Sequence, residues 1–119
     1  MDKAIILFGH GSRDPQWRQP IESVAARMAL GQPGLQVHCA YLEFDQPDLQ
    51  AAAAQAVAAG ASSISIVPMF LGTGTHLRRD LPDLLRTLRE KYWAVHFSLQ
   101  RPVGDDPRLL DLIAAIALE

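Results

Sequence analysis

The chain has 119 residues and a formal net charge of −2, with 49% hydrophobic and 20% charged residues. This length suits one compact domain and is too short for two, so we expect a single domain over residues 1–119. The nearly balanced charge gives no electrostatic reason to expect nucleic acid or an anionic membrane as a partner. The apolar run after Met-Asp-Lys is too short for a secretory signal or a membrane span, so a cytoplasmic location is the default expectation.

The hydrophobic pattern predicts four strand–helix pairs in chain order. The expected strands are 3–8, 35–42, 63–69 and 94–100. The expected helices are 17–30, 48–59, 80–92 and 108–118. Because a proline is excluded from a helix interior, Pro82 is placed in the first turn of the third helix, and 72–79 is predicted to be a loop.

This alternation predicts an α/β fold in which helices cover both faces of a parallel sheet, a three-layer α/β/α arrangement. The first and third strands are almost continuously apolar, as central strands are. The second and fourth carry polar residues at alternate positions, including His38 and His96, which is typical of edge strands. Right-handed crossovers then favour a four-stranded parallel sheet of order 2-1-3-4, with its switch point between strands one and three.

The unusual residues collect in the loops that follow the first three strands. These segments are Gly9-His10-Gly11-Ser12-Arg13, Glu43-Phe44-Asp45 and Gly72-Thr73-Gly74-Thr75-His76. Because the carboxyl ends of parallel strands meet at one edge, we expect His10 and His76 to face each other across a crevice, with Glu43 beside them. Two imidazoles and one carboxylate hold a divalent first-row metal and leave coordination positions open.

Plainer interpretations apply to the same residues. A histidine near a strand end is often structural or merely exposed to solvent, with no functional role. Glu43 is equally interpretable as a loop carboxylate that solvent surrounds. The segment 72–75 lacks the Gly-Lys-Ser/Thr ending of a P-loop, and Gly9-His10-Gly11 lacks the spacing of a dinucleotide fingerprint. The glycines therefore favour a metal or proton-transfer site over a nucleotide site.

Three motifs together resemble the CbiX family of class II chelatases, which insert a divalent metal into sirohydrochlorin. They are Gly9-His10-Gly11-Ser12-Arg13, Tyr41-Leu42-Glu43, and the run from Pro68-Met69-Phe70-Leu71 through His76 to Asp80-Leu81-Pro82. The match covers nearly the whole chain and is similar to the small, single-domain form. It implies a chelatase-like fold and a lyase of tetrapyrrole synthesis, cobalamin or siroheme, that uses neither ATP nor an organic cofactor. It also implies a homodimer, because larger relatives contain two such domains fused.

By motif, the resemblance assigns His10, His76 and Glu43 as the catalytic, metal-binding residues. We expect the histidines to bind the metal and accept the two pyrrole protons, while Glu43 orients one imidazole or is a third ligand. The metal is a substrate; this donor set suits Co²⁺, Fe²⁺ and Ni²⁺ alike. The residues expected to meet the macrocycle's peripheral carboxylates are Ser12, Arg13, Gly72, Thr73, Gly74, Thr75, Arg78 and Arg79.

Three other functions stay open at this point. A non-enzymatic carrier of divalent metal would use the same histidines. A histidine-dependent phosphatase is disfavoured, because Gly9 stands where that chemistry usually places an arginine. A catalytically inactive interaction domain would leave the exposed histidines and glycines at the switch point unexplained.

Overall fold

The computed structural model describes residues 2–72 and 74–119, without the side chains of Thr75 and His76. Four strands alternate with four helices, which confirms the predicted pattern. In chain order the elements are β1 Lys3–Gly9, α1 Gln19–Gly31, β2 Gln36–Tyr41, α2 Leu49–Ala58, β3 Ser63–Pro68, α3 Thr75–Lys91, β4 His96–Leu99 and α4 Pro107–Ala117. Short 3₁₀ turns at Pro15–Arg18 and Val103–Asp105 precede α1 and α4. Within the described residues, no helix has both the length and the apolar character needed to cross a bilayer.

The four strands form one parallel sheet in the order β2-β1-β3-β4, as predicted. The register places Gly9 of β1 opposite Tyr41 of β2, and Phe8 opposite Pro68 of β3. The three strands therefore end at nearly the same level, and the loops that follow them start side by side at one edge of the sheet. The edge positions of β2 and β4 explain why His38 is only half-buried and His96 is exposed.

The core is divided between the two faces of the sheet. On one face the large buried side chains of β1 and β3, among them Phe8 and Ile66, pack against α2 and α3. The α2 side of this layer is built of buried alanines, whose small side chains let the helix approach the sheet closely. A smaller cluster around Leu7, Ile21 and Tyr41 joins α1 to the opposite face. Burial of each of these large apolar side chains contributes about 1.5–3 kcal/mol to the free energy of unfolding.

The predicted loop over 72–79 is wrong in its second half. Helix α3 begins at Thr75, with Gly74 as its N-cap, and Pro82 lies inside the helix rather than in its first turn. The leucines at 77, 81, 85 and 88 are all buried along one side of α3. Their combined burial exceeds the cost of an interior proline, about 3 kcal/mol, and Pro82 itself lies on the exposed side. As a result His76 belongs to the first turn of α3 and not to the preceding loop.

Candidate functional site

The loops after β1 and β2 continue the pairing of the two strands. The Leu42 amide donates to the Gly9 carbonyl at 2.9 Å, and the Glu43 amide donates to the His10 carbonyl at 3.1 Å. These bonds follow from the strand register, which aligns Gly9 with Tyr41 at the last regular pair. His10 and Glu43 are therefore held next to each other by backbone, before any contact between their side chains.

Gly11 makes this close approach possible. Its φ angle is +94°, and a Cβ atom at this position would overlap the Glu43 carbonyl oxygen. Only glycine adopts such a φ freely and also leaves room for a neighbouring backbone. The second glycine of the Gly9-His10-Gly11 motif thus has a structural role: it lets the two loops lie in contact.

The His10 and Glu43 side chains form the described part of the site. His10 Nε2 lies 3.3 Å from Glu43 Oε1, and the two side chains are 55% and 49% exposed. The imidazole also meets the buried Phe70 ring edge to face, with 6.3 Å between ring centroids. An imidazole held between a carboxylate and an aromatic wall, yet open to solvent, is suited to binding an ion or accepting a proton.

The third expected ligand lies outside the described side chains. His76 follows β3, which is the neighbour of β1 in the sheet, and its backbone belongs to the first turn of α3. Among the side chains that the structure describes, no group of three or more histidines, cysteines, aspartates or glutamates is placed to hold a metal ion. The pair His10–Glu43 supplies two of the three expected donors, and the shared site with His76 stays a prediction.

Ser12 and Arg13 lie in the same loop as His10. The Ser12 hydroxyl accepts a hydrogen bond from the Asp14 amide at 3.1 Å, within the loop itself. The Arg13 guanidinium carbon lies 4.9 Å from the centroid of the Phe44 ring, a cation–π contact between the β1 and β2 loops. Arg13 is exposed, so its N–H groups are accessible to a ligand beside the His10–Glu43 pair.

The other expected substrate-binding residues lie beyond β3. Gly72 and Gly74 are exposed, and Arg78 and Arg79 are exposed on the first turns of α3. Gly74 makes no side-chain cap, so the first N–H groups of α3 favour a negative group nearby. Thr73 lies outside the described residues, and so does the side chain of Thr75.

A buried carboxylate in the β2 loop escaped the sequence analysis. The side chain of Asp45 is only 10% exposed, and Asp45 Oδ1 lies 3.7 Å from Arg18 Nε. Its other oxygen, Oδ2, accepts a hydrogen bond from the Ser12 amide at 2.9 Å. A usable signal was its spacing, two residues after Glu43 in a loop predicted to lie beside the His10 loop.

Tyr41 is the last residue of β2 and lies directly behind the site. Burial is the main reason that its pKa is raised to about 12. Its phenol therefore stays protonated at neutral pH. We assign Tyr41 to the packing beneath the loops and not to proton transfer.

An apolar hollow of about 350 Å³ lies on the α1 face of the sheet. Its walls include Trp17, Val24, Met69 and Leu71. A Cβ atom at Gly9 would lie 3.6 Å from the Trp17 ring, which places this wall next to the residue before His10. Trp17 and Leu71 are 39% and 66% exposed, so an accessible apolar surface lies next to the last residue of β1.

Comparison with known proteins gives consistent matches along the chain. A sequence model described as CbiX matches residues 4–119. A protein of Methanopyrus kandleri named sirohydrochlorin cobaltochelatase is 37% identical over 130 residues, an alignment that covers 92% of this chain and 91% of that protein.

Two solved structures share the fold with a TM-score of 0.82 each. One is described as a putative cobalamin biosynthesis CbiX protein from Marinobacter aquaeolei; it is 31% identical and the match covers 97% of this chain and 93% of that one. The other is the sirohydrochlorin chelatase SirB from Bacillus subtilis in complex with cobalt, 24% identical. There the match covers 97% of this chain but 49% of the SirB chain, so the shared fold occupies about half of that protein.

Proposed function

Because the chain belongs to the CbiX family, we propose that it inserts a divalent metal ion into sirohydrochlorin, without ATP, as a lyase of tetrapyrrole synthesis. The observation that carries this proposal is the His10–Glu43 pair, with 3.3 Å between Nε2 and Oε1 and about half of each side chain open to solvent. The relative from Methanopyrus kandleri has this activity in its name. Cobalt and ferrous iron are the metals we expect as substrates, and Ni²⁺ also suits imidazole and carboxylate donors.

The chemistry of insertion assigns a task to each group. The macrocycle must lose two pyrrole protons as the metal enters, and the His10 imidazole, with 55% of the side chain exposed, is the proposed proton acceptor and metal ligand. Glu43 orients the imidazole and stabilises its protonated form. His76 is proposed as the second histidine, on the α3 side. The proposed reaction proceeds without an organic cofactor.

The surroundings of the pair suit a large, flat, polyanionic substrate. The apolar hollow beside Trp17 and Leu71 offers a contact surface for one face of the ring. Arg13, Arg78 and Arg79 are exposed, and they are proposed to bind peripheral carboxylates. The uncharged face of the substrate thus meets apolar walls, while its charged rim meets guanidinium groups and helix N–H groups.

An insertion assay tests the proposal. Purified protein is mixed with sirohydrochlorin and Co²⁺, Fe²⁺ or Ni²⁺ under anaerobic conditions, and the absorption spectrum of the macrocycle is followed against a protein-free control. We expect Co²⁺ or Fe²⁺ to be inserted faster than in the control. A protein that binds the metal but leaves the rate at the control value would be a metal carrier, and the chelatase proposal would be rejected.

We further propose that the active form is a homodimer, joined through α4. Four large apolar side chains of this helix are 39–58% exposed and form an apolar stripe: Leu110, Leu112, Ile113 and Ile116. In water an apolar stripe of this size is usually covered by a partner. Because the shared fold fills only half of the cobalt-bound SirB chain, a second copy of this chain is the occupant that we propose.

Light scattering after gel filtration tests the dimer. Ile116→Glu introduces a charge into the stripe and is expected to halve the measured mass. Ala115→Glu adds the same charge outside the stripe, at another exposed position of α4, and is expected to leave the mass unchanged. Equal masses for the two variants would reject α4 as the contact.

The cytoplasmic location stays a prediction from the sequence, which cell fractionation checks.

A further inference from the structure

We propose that Asp45 is a positioning residue, which holds His10 and Glu43 at the separation that metal insertion requires. This inference rests on the proposed chelatase function of the same site. Asp45 itself does not face the open side, since only 10% of its side chain is exposed. It acts through the backbone of the two loops.

The contacts of Asp45 close a ring around the pair. On one side of the ring, the Glu43 amide donates to the His10 carbonyl at 3.1 Å. On the other side, Asp45 Oδ2 accepts from the Ser12 amide at 2.9 Å. Ser12 is two residues after His10, and Asp45 is two residues after Glu43. One hydrogen bond therefore joins the functional pair itself, and the other ties the two loops together two residues further on.

The second carboxylate oxygen links the loops to the body of the protein. Asp45 Oδ1 lies 3.7 Å from Arg18 Nε, at the end of the 3₁₀ turn that leads into α1. Arg18 Nε is buried and has no hydrogen-bond partner within the described residues, so the Asp45 carboxylate supplies the charge that compensates it. A neutral side chain at position 45 would keep at most one of these two interactions.

The backbone between Glu43 and Asp45 needs such support. Phe44 has a φ angle of +68°, a left-handed conformation that is unfavourable for a bulky residue. This conformation is accompanied by a hydrogen bond from the Asp45 amide to the Glu43 carbonyl at 2.8 Å. Strained backbone persists where its surroundings determine it, and the buried Asp45 carboxylate adds a side-chain hydrogen bond to the Ser12 amide that holds this segment against the His10 loop.

The test is a set of three variants, with turnover measured by the insertion assay. In Asp45→Ala we expect kcat to fall about 10-fold with KM changed less than about 3-fold, because the reacting pair and not the rim contacts is displaced. Asp45→Asn keeps an acceptor for the Ser12 amide and should recover most of the turnover. Asp48→Ala is the matched control, because Asp48 lies in the same loop but its carboxylate caps α2, accepting from the Ala51 amide at 2.8 Å.

A double-mutant cycle separates positioning from mere stability. If Asp45 acts through Glu43, adding Asp45→Ala to Glu43→Gln should lower the residual turnover by less than about 2-fold. The same factor in both backgrounds would overturn the proposal, and so would unchanged turnover in Asp45→Ala. Should Asp45→Ala fail to fold, the cycle is run with Asp45→Asn. We then expect a smaller loss of turnover that is not additive with the loss in Glu43→Gln, and an additive loss of turnover would overturn the proposal.

A second readout does not depend on turnover. The edge-to-face contact of His10 and Phe70, with 6.3 Å between ring centroids, is expected to give nuclear Overhauser signals between the two rings. We expect these signals to be lost in Asp45→Ala and kept in Asp48→Ala. If the wild type inserts no metal, the chelatase proposal fails while the ring contact still tests Asp45. If the signals persist in a folded Asp45→Ala protein, the positioning role is rejected.

Discussion

Helix α4 differs from the loops that carry His10 and Glu43 in how firmly contacts within the chain hold it in place. The loops are polar and half-exposed, yet hydrogen bonds donated by backbone amides connect them to each other and stabilise each of them internally. Helix α4 is apolar along one side and has no buried residue, and its main packing contact is the short 3₁₀ turn that precedes it. A groove of about 490 Å³ separates part of α4 from the segment after β4.

The same contrast exists between α4 and α2. Helix α2 buries four residues under the sheet, so its position is determined by the core of one chain. Helix α4 offers larger apolar side chains and buries none of them. Burial of apolar surface is what fixes a helix in place. The loops that carry His10 and Glu43 and helix α2 are therefore held by contacts within one chain, whereas the proposed dimer would bury the apolar stripe of α4.

The largest expected effect follows from replacing the two proposed catalytic histidines. Replacing His10 and His76 together by alanine should lower metal insertion at least about 100-fold, the size of effect typical for loss of a general base. The fold should survive, because His10 is exposed and the core lies elsewhere. The insertion assay and circular dichroism measure the two properties. Wild-type turnover in the double variant would refute the proposed roles.

A glycine substitution breaks the close approach of the loops. Gly11→Ala should destabilise the protein by at least about 2 kcal/mol, because it combines an unfavourable φ with an overlap at the Glu43 carbonyl. Gly34 has nearly the same φ, +93°, and only open space where a Cβ atom would lie, so Gly34→Ala should cost about 1 kcal/mol. Urea unfolding compares the two variants. Equal losses would mean that the loop contact adds nothing.

The concentration dependence of the Tm tests the proposed role of α4 in the dimer. A dimer that forms only from folded chains raises the Tm as protein concentration rises, because association removes folded monomer from the unfolding equilibrium. We expect this rise for the wild type and not for Ile116→Glu. A calorimetric Tm independent of concentration in the wild type would contradict a dimer at the concentrations scanned.

The smallest expected effect concerns β2 and pH. Burial lowers the pKa of His38 below its ordinary value. The unfolded chain therefore binds a proton at His38 more readily than the folded chain does. The contribution of His38 to the free energy of unfolding is constant well above pH 6.5 and is lost as pH falls through the lowered folded pKa. Urea unfolding at about pH 5 and about pH 7.5 should show a smaller pH difference for His38→Gln than for the wild type. An unchanged difference would assign it to other groups.

Much of this architecture was predictable from local sequence patterns. The alternation of apolar runs and turn residues predicts the four strand–helix pairs, and the polar positions of β2 and β4 predict their place at the edges. The wrong boundary was the start of α3, because the cost of Pro82 is a local property. The compensating burial of Leu77 and Leu81 against the sheet is a property of the folded chain.

The sequence alone predicted which groups carry the proposed chemistry, because His10 and Glu43 stand directly after strands. It also predicted the strand order, which follows from the apolar pattern and the handedness of crossovers. Tertiary structure decided how these groups are held. Residues distant in the chain form the ring of hydrogen bonds through Asp45 and the contact of His10 with Phe70. The exposure of the apolar stripe of α4 is likewise decided by how the rest of the chain packs. Such contacts depend on register and burial in three dimensions, which no local pattern encodes.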